Sequence, residues 1–346
     1  MPAVSTNSNS KVLVTGANGF LALWIVRVLL EHGFIVRGTV RTADKGNKLK
    51  QIFSTYGDKL EWVVVPDIIV EGAFDKALED IDAVVHSASP VVVESEDPDA
   101  VIKPALGGTE SIFNSILKYG TKVKRVVLTS SMGALIPIMT GPVVLNENSW
   151  GDDIVQLVKQ LGKAAPQITK YWASKTLAER AAWDIYEKNK PEIGWELVVL
   201  NPSIRPVQDF STPAEAPHSN QMWYNHIVDL VDEEGVNGTF VYVDVRDVAE
   251  AHMLSITKEA AGGERFVLSA GSSGYQKMRD TVFALKPEYY TSGLLPRGNP
   301  DVQGEPLITT NTTKAEDILG IKYKTLEETI ENTLAGYEVN GLVGKK

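Results

Sequence analysis

The fold is decided by a stretch near the amino terminus, Val12-Leu13-Val14-Thr15-Gly16-Ala17-Asn18-Gly19-Phe20-Leu21-Ala22. Its first three residues are apolar and mostly β-branched, which is typical of a buried parallel strand. Gly16 and Gly19 end this strand, and residues 21–30 predict an apolar helix. A strand, a glycine turn and a helix start place free backbone amides where a phosphate binds well. Tight strand–helix turns also need glycine for steric reasons, so this segment alone leaves both interpretations open.

The spacing Gly16-x-x-Gly19-x-x-Ala22 is a variant of the dinucleotide-binding fingerprint, with alanine in the last glycine position. It predicts a cofactor held by the turn and by the first helical residues. The predicted contacts in this segment are Gly16, Asn18, Gly19, Phe20 and Leu21.

Apolar segments alternate with helical ones over the first 200 residues. The pattern predicts strands at residues 34–40, 60–65, 83–85, 123–129 and 195–200, and helices at 45–56, 73–78, 98–119 and 167–188. This alternation favours an α/β fold, a Rossmann-type doubly wound parallel sheet whose ligands lie at the carboxyl ends of the strands.

The rhythm changes after Asn201, and further strands are predicted at 240–243 and 265–268. We expect residues 1–10 to be a disordered lead-in and residues 11–201 to form the dinucleotide-binding domain, with 239–269 returning to it. Residues 202–238 and 270–346 are expected to form a smaller substrate-binding lobe. Within it, Met222-Trp223-Tyr224 is either pocket wall or lobe core.

Composition excludes several classes of function. The 346 residues carry a net charge of −10 and no basic tail, so neither a nucleic acid nor an anionic membrane is an expected partner. The absence of cysteine excludes disulfides and thiolate metal sites. No apolar run reaches transmembrane length, and the first ten residues lack signal-peptide features. We expect a cytoplasmic protein, a monomer or homodimer.

The end of the second predicted strand indicates which dinucleotide binds. An NAD site usually places a carboxylate there for the ribose hydroxyls, but residues 36–43 contain no carboxylate, and the first one after the strand is Asp44. Arg41 and Lys45 stand instead where a 2′-phosphate would lie, which favours NADP(H); the alternative is two solvated cations. Asp67, followed by Ile68, is either an adenine contact or a helix N-cap.

Tyr171-Trp172-Ala173-Ser174-Lys175 places a phenol and an ammonium one helical turn apart, on the same face. A neighbouring ammonium lowers the pKa of a tyrosine, which then serves as a proton donor to a carbonyl oxygen. Upstream, a predicted strand ends in Thr129-Ser130-Ser131. A hydroxyl at this edge is placed to hold the substrate oxygen, although a serine pair after a strand is also an ordinary turn.

Together these motifs make the sequence resemble the extended short-chain dehydrogenase/reductases. Within that family it is similar to the branch of dihydroflavonol, cinnamoyl-CoA, methylglyoxal and fungal aldehyde and ketone reductases. Further matching segments are Val85-His86-Ser87-Ala88-Ser89-Pro90, Asn201-Pro202-Ser203 and Tyr242-Val243-Asp244-Val245-Arg246-Asp247.

The resemblance implies Ser131, Tyr171 and Lys175 as the catalytic set, and Arg41 and Lys45 as 2′-phosphate ligands. It also implies Ala88 and Ser89 near the cofactor ribose, and Pro202 and Ser203 near the nicotinamide. By their own pattern, Asp244 and Asp247 are expected to be a helix N-cap and its partner. One departure concerns the loop after Asn201-Pro202, which reaches Pro206 two residues early, with Arg205 in place of glycine.

The remaining candidates are histidines. His86 follows a buried strand and is expected to be a packed core residue. His218, His226 and His252 lack metal-ligand spacing, so we expect no metal site. The expected function is NADPH-dependent reduction of a small carbonyl compound, including keto esters. The alternatives are a nucleotide-sugar epimerase or dehydratase, and a non-catalytic NADP(H) sensor.

Overall fold

A computed structural model describes residues 3–6, 9–89, 95–203, 218–229, 238–302 and 304–343. The strands in chain order are β1 Lys11–Val14, β2 Ile35–Val40, β3 Leu60–Val64, β4 Ala83–His86, β5 Arg125–Thr129, β6 Val143–Leu145, β7 Glu196–Pro202, β8 Thr239–Tyr242, β9 Arg265–Leu268, β10 Gly271–Gly274 and β11 Ile308–Thr310. The helices are α1 Phe20–Glu31, α2 Ala43–Ile52, α3 Pro98–Tyr119, α4 Asp152–Leu161, α5 Gln167–Asn189, α6 His218–Val228, α7 Val245–Thr257, α8 Tyr275–Leu285, α9 Pro287–Thr291 and α10 Leu326–Val339.

Seven of the described strands form one sheet in the order β3-β2-β1-β4-β5-β7-β9, and all of their pairings are parallel. The chain winds outward in both directions from β1, so the crevice between β1 and β4 is the topological switch point where such sheets bind ligands. The predicted α/β Rossmann-type fold is confirmed.

Alternate residues of β1 enter the two cores that cover the sheet. Val12 and Val14 pack in the core that contains α1 and α7, whereas Leu13 packs in the core that contains α3 and α5. Because side chains alternate across a strand, an entirely apolar strand is expected only where both faces are covered. The composition of β1 therefore reflects its central position.

A separate core lies beyond the sheet, among α6, β8, α8 and α10. Trp223 is fully buried there, 5.4 Å from the ring of Phe240 in an edge-to-face arrangement. Trp223 therefore belongs to this core. β8 pairs antiparallel with β10, and its Phe240 and Tyr242 pack into this aromatic core. In contrast, β9 pairs with β7 in the main sheet, and α7 packs in the core that contains β1 and α1.

Several local predictions differ from the structure. The helix predicted over 45–56 ends at Ile52 and continues as a 3₁₀ segment, and the one predicted over 73–78 is a 3₁₀ turn, Asp75–Leu78. Within residues 1–10, Val4 is buried and its N–H donates to the Ile256 carbonyl (3.0 Å).

The predicted capping pair at α7 is half correct. Asp244 is the N-cap and accepts the Arg246 N–H, but Asp247 does not reach back to it. The Asp247 carboxylate accepts hydrogen bonds from the backbone N–H (2.7 Å) and the ammonium (2.8 Å) of Lys324 instead. A tertiary partner 77 residues away therefore replaces the local one. Among the described residues, no helix is long and apolar enough to cross a bilayer.

Candidate active site

The glycine turn is held between the ends of β2 and β4. Gly16 has a φ of +65°, and a Cβ at this position would lie 3.2 Å from both Cα and Cβ of Ala88. Its N–H donates to the Thr39 hydroxyl (3.0 Å), and the Ala17 N–H donates to the Thr39 carbonyl (2.9 Å). Gly16 is therefore required both for its left-handed backbone and for the close approach of Ala88.

Backbone amides open α1 without a side-chain cap. The N–H of Leu23 donates to the Gly19 carbonyl, which makes it the first intrahelical bond, and no side chain caps the helix at Gly19. The preceding N–H groups, of Phe20, Leu21 and Ala22, consequently point out of the helix end without an intrahelical acceptor. This arrangement fits the phosphates of a dinucleotide. Asn18 lies half-buried in the turn.

Thr15 connects the glycine turn to the segment after β4. Its Oγ1 accepts the N–H groups of Ser87 (3.1 Å) and Ala88 (3.0 Å). The hydroxyl proton is therefore directed to His86 Nδ1, at 2.9 Å. Burial lowers the pKa of His86 to about 3, and the positive charge of Lys175 acts in the same direction. His86 is a neutral core histidine, as predicted.

This buried histidine makes stability depend on pH. Between pH 7 and pH 5 folded His86 stays neutral, whereas an unfolded histidine with an ordinary pKa takes up a proton, so acid favours unfolding. We expect His86 to account for about 2 kcal/mol of the stability lost over this interval. His86→Asn keeps an acceptor for Thr15 but cannot titrate there. Urea unfolding at both pH values should show that much less pH dependence in the variant.

The same exchange at the exposed His32 controls for the substitution itself. If His86→Asn leaves the difference in unfolding free energy between pH 7 and pH 5 unchanged, the histidine is not held neutral by the fold.

Among the described residues, the two basic side chains after β2 are exposed and unpaired, whereas the arginine within β2 forms an ion pair. Arg37 Nε donates to the Glu61 carboxylate (2.8 Å), so the charge of Arg37 is paired with a residue of the neighbouring strand. Arg41 and Lys45 are exposed, and neither has an ion-pair partner in the part of the chain that the structure describes. Unpaired cations that follow β2 fit a 2′-phosphate. Asp67 is not a helix N-cap, since its carboxylate accepts the Ile69 N–H (3.1 Å) in a turn that includes half-buried Ile68.

α5 presents Tyr171 and Lys175 to the carboxyl edge of the sheet. The Lys175 ammonium lies 5.6 Å from the centre of the Tyr171 ring and donates to Ser89 Oγ at 2.9 Å. Tyr171 is 38% exposed, so its ring is accessible to a ligand. The structure thus joins the predicted catalytic pair to the segment that continues from β4.

Ser131 reaches the same place from β5. It caps a 3₁₀ turn, and its Oγ accepts the Gly133 N–H at 3.0 Å. The position of a Cβ on Gly133 would be 3.4 Å from Ser131 Oγ and 3.5 Å from Tyr171 Cε1. Gly133 therefore lies between the serine and the tyrosine, and a side chain there would also collide with Trp172.

The end of β7 completes this edge of the sheet. Pro202 and Ser203 are buried, and the Ser203 N–H donates to the Leu268 carbonyl. Ser203 Oγ has no hydrogen-bond partner among the described residues, which fits a site that holds a polar ligand group. Residues 204–206, which carry the shortened loop and Arg205, lie outside the described part of the chain.

Sequence reasoning missed Glu179, which is 1% exposed and contacts both Ser130 and Asn201. The spacing could have indicated this residue, because Glu179 follows Tyr171 by eight residues and so lies on the same face of α5. Thr39, which holds the glycine turn, was also missed. In the described ranges, no group of three histidine or acidic side chains is arranged to hold a metal ion.

The sequence is similar to those of known oxidoreductases. The sequence model of the 3-beta hydroxysteroid dehydrogenase/isomerase family matches residues 13–258. Ketoreductase azaE of Aspergillus niger is 36% identical over 96% of this chain and 97% of its own. Cinnamoyl-CoA reductase 1 of Arabidopsis thaliana is 32% identical over 98% of this chain and 92% of its own.

A solved structure extends the likeness to three dimensions. Yeast methylglyoxal/isovaleraldehyde reductase Gre2, crystallised with NADPH, superposes with a TM-score of 0.83 at 30% identity, covering 96% of this chain and 100% of that one. The chain belongs to the 3-beta hydroxysteroid dehydrogenase/isomerase family, within the extended short-chain dehydrogenase/reductases. The predicted membership of an oxidoreductase family is confirmed, and the cofactor of the solved relative agrees with the predicted NADP(H).

Proposed function

We propose that this protein reduces aldehydes and ketones, keto esters among them, to alcohols with NADPH. The observation that carries the proposal is the convergence of Ser131, from β5, with Tyr171 and Lys175, from α5, beside the glycine turn. Arg41 and Lys45 would hold the 2′-phosphate, and the amides of α1 the pyrophosphate. When bound, NADPH supplies the hydride.

The protein side chains would orient the carbonyl, donate the proton and bind the cofactor ribose. Ser131 Oγ accepts the Gly133 N–H, so its own proton is directed away from that bond and is available to the substrate oxygen. Tyr171 donates the proton that turns this oxygen into an alcohol. Lys175 holds positive charge beside the phenol and would bind the cofactor ribose, while Ser89 fixes the ammonium. The lobe built on the core among α6, β8, α8 and α10 would form the wall of the substrate pocket.

The reaction is tested by following loss of NADPH absorbance with a panel of aldehydes, ketones and β-keto esters, in parallel with NADH. We expect oxidation that depends on the carbonyl and favours NADPH. Tight NADPH binding without turnover would favour a sensor. A nucleotide that stays bound through purification, with turnover of a nucleotide sugar, would favour an epimerase or dehydratase.

A further inference from the structure

A buried carboxylate lies behind the proposed reacting groups. Glu179 is on α5, one turn beyond Lys175 and two beyond Tyr171, and only 1% of it is exposed. A carboxylate removed from water must find partners for its charge and for its lone pairs. The hydrogen-bond partners of Glu179 include residues at the ends of two strands, β5 and β7.

The two oxygens of Glu179 have separate tasks. Oε1 accepts the Nε–H of Arg265 at 2.5 Å, which pairs the negative charge. Oε2 accepts the hydroxyl proton of Ser130 at 2.6 Å and an Nδ2–H of Asn201 at 2.7 Å. One oxygen therefore anchors the carboxylate, and the other binds residues at the ends of β5 and β7.

Asn201 also forms a hydrogen bond with the backbone of Ser131. The same Nδ2 donates to the Ser131 carbonyl at 3.1 Å, so the amide group bridges Glu179 and the serine backbone. Turning the amide over would place Oδ1 against two acceptors, the carboxylate and the carbonyl. The negative charge of Glu179 therefore fixes which way Asn201 points.

Arg265 is itself firmly held. Its Nη1 donates to the carbonyls of Glu147 (2.9 Å) and Ser149 (2.6 Å), and its guanidinium lies 3.7 Å from the centre of the Trp150 ring. Arg180 contacts the same ring at 3.6 Å. Movement of the Glu179 carboxylate would have to disrupt this whole arrangement.

We infer that Glu179 is a positioning residue, whose carboxylate fixes Ser131 relative to Tyr171 and Lys175. Ser131 follows a strand whereas the other two lie on a helix, so their geometry depends on contacts between these elements. Glu179 supplies a polar connection from the helix, through Asn201, to the serine. The inference rests on the proposed reduction for its kinetic consequence but not for its structural one.

Glu179→Gln tests the inference. The glutamine oxygen can still accept from Arg265, but its amide then presents N–H groups to the N–H groups of Asn201. We expect kcat to fall roughly thirtyfold or more, because a displacement of about 1 Å at a reacting group has effects of this order. The KM for NADPH should stay within about twofold, since the cofactor contacts proposed above do not include Glu179.

Glu196→Gln is the matched control. Glu196 Oε2 pairs with the fully buried Arg125 (3.3 Å) at the start of β7, the opposite end of the strand that carries Asn201. This substitution likewise removes the negative charge opposite a buried arginine, so Glu196→Gln should lose thermal stability but keep its kcat. If Glu179→Gln keeps kcat within about threefold of the wild type, the inference is overturned.

Two further measurements keep the inference testable if Glu179→Gln does not fold or if the wild type reduces no carbonyl. Asn201→Ala removes the bridge but leaves the Glu179–Arg265 pair, and its crystal structure should show Ser131 Oγ displaced relative to the Tyr171 ring. Where activity exists, Glu179→Gln should add little to the loss caused by Asn201→Ala. An unmoved Ser131 would overturn the inference, whereas an inactive wild type would overturn only the proposed reduction.

Discussion

Tyr171→Phe is expected to lower kcat by at least about a hundredfold while NADPH binding is unchanged. The substitution removes only the phenol oxygen, the proposed proton donor, and keeps the ring beside Gly133 and Lys175. Because the proposed cofactor contacts remain, the loss should fall on the chemical step. Single-turnover kinetics together with NADPH fluorescence titration separate the two effects.

Tyr119→Phe provides the control. Tyr119 is also an exposed helical tyrosine with a lysine nearby, since the Lys118 ammonium lies 5.7 Å from the centre of its ring. It ends α3, at the amino edge of the sheet, away from Ser131. This variant should retain full turnover. Near-normal turnover in Tyr171→Phe would show that another group donates the proton.

Arg41→Ala is expected to reduce the preference for NADPH over NADH by roughly thirtyfold. A charge-assisted hydrogen bond contributes about 2 kcal/mol, which corresponds to that ratio. The kcat/KM with NADPH should fall, whereas that with NADH should change little, because NADH has no 2′-phosphate. The measurement is kcat/KM with each cofactor at a fixed carbonyl concentration.

Lys48→Ala distinguishes a specific contact from a general loss of positive charge. Lys48 is exposed on α2, three residues beyond Lys45. Its removal changes the net charge by the same amount and should leave the cofactor preference intact. An Arg41→Ala variant with the wild-type preference would place the 2′-phosphate elsewhere.

Elements with strong local signals could be predicted from the sequence. The helix expected over 98–119 is found as Pro98–Tyr119, because Asp97 caps it, Pro98 suits the first turn and Gly120 follows it. The glycine turn and the Tyr171–Lys175 pair were equally local. Each depends on residues that are close in sequence, where spacing alone constrains the geometry.

Features built from distant residues could not be predicted. β6 and β11 have three residues each and pair with each other across more than 160 positions, so neither carries a periodic signal. The partners of Glu179 at the site, Ser130, Asn201 and Arg265, lie 22 to 86 residues away from it. The spacing places Glu179 on the helix face of Tyr171, but without the fold it identifies none of these partners.

The two exposed cations after β2 also bear on how a polyanionic cofactor reaches the protein. A net charge of −10 repels such a molecule at long range. At physiological ionic strength this field fades beyond about 8 Å, whereas attraction at the proposed contacts with Arg41 and Lys45 would be screened much less. Encounter should therefore be slowest in dilute buffer and quicken as salt is first added. We therefore expect added salt first to speed cofactor binding and, at higher concentration, to weaken it.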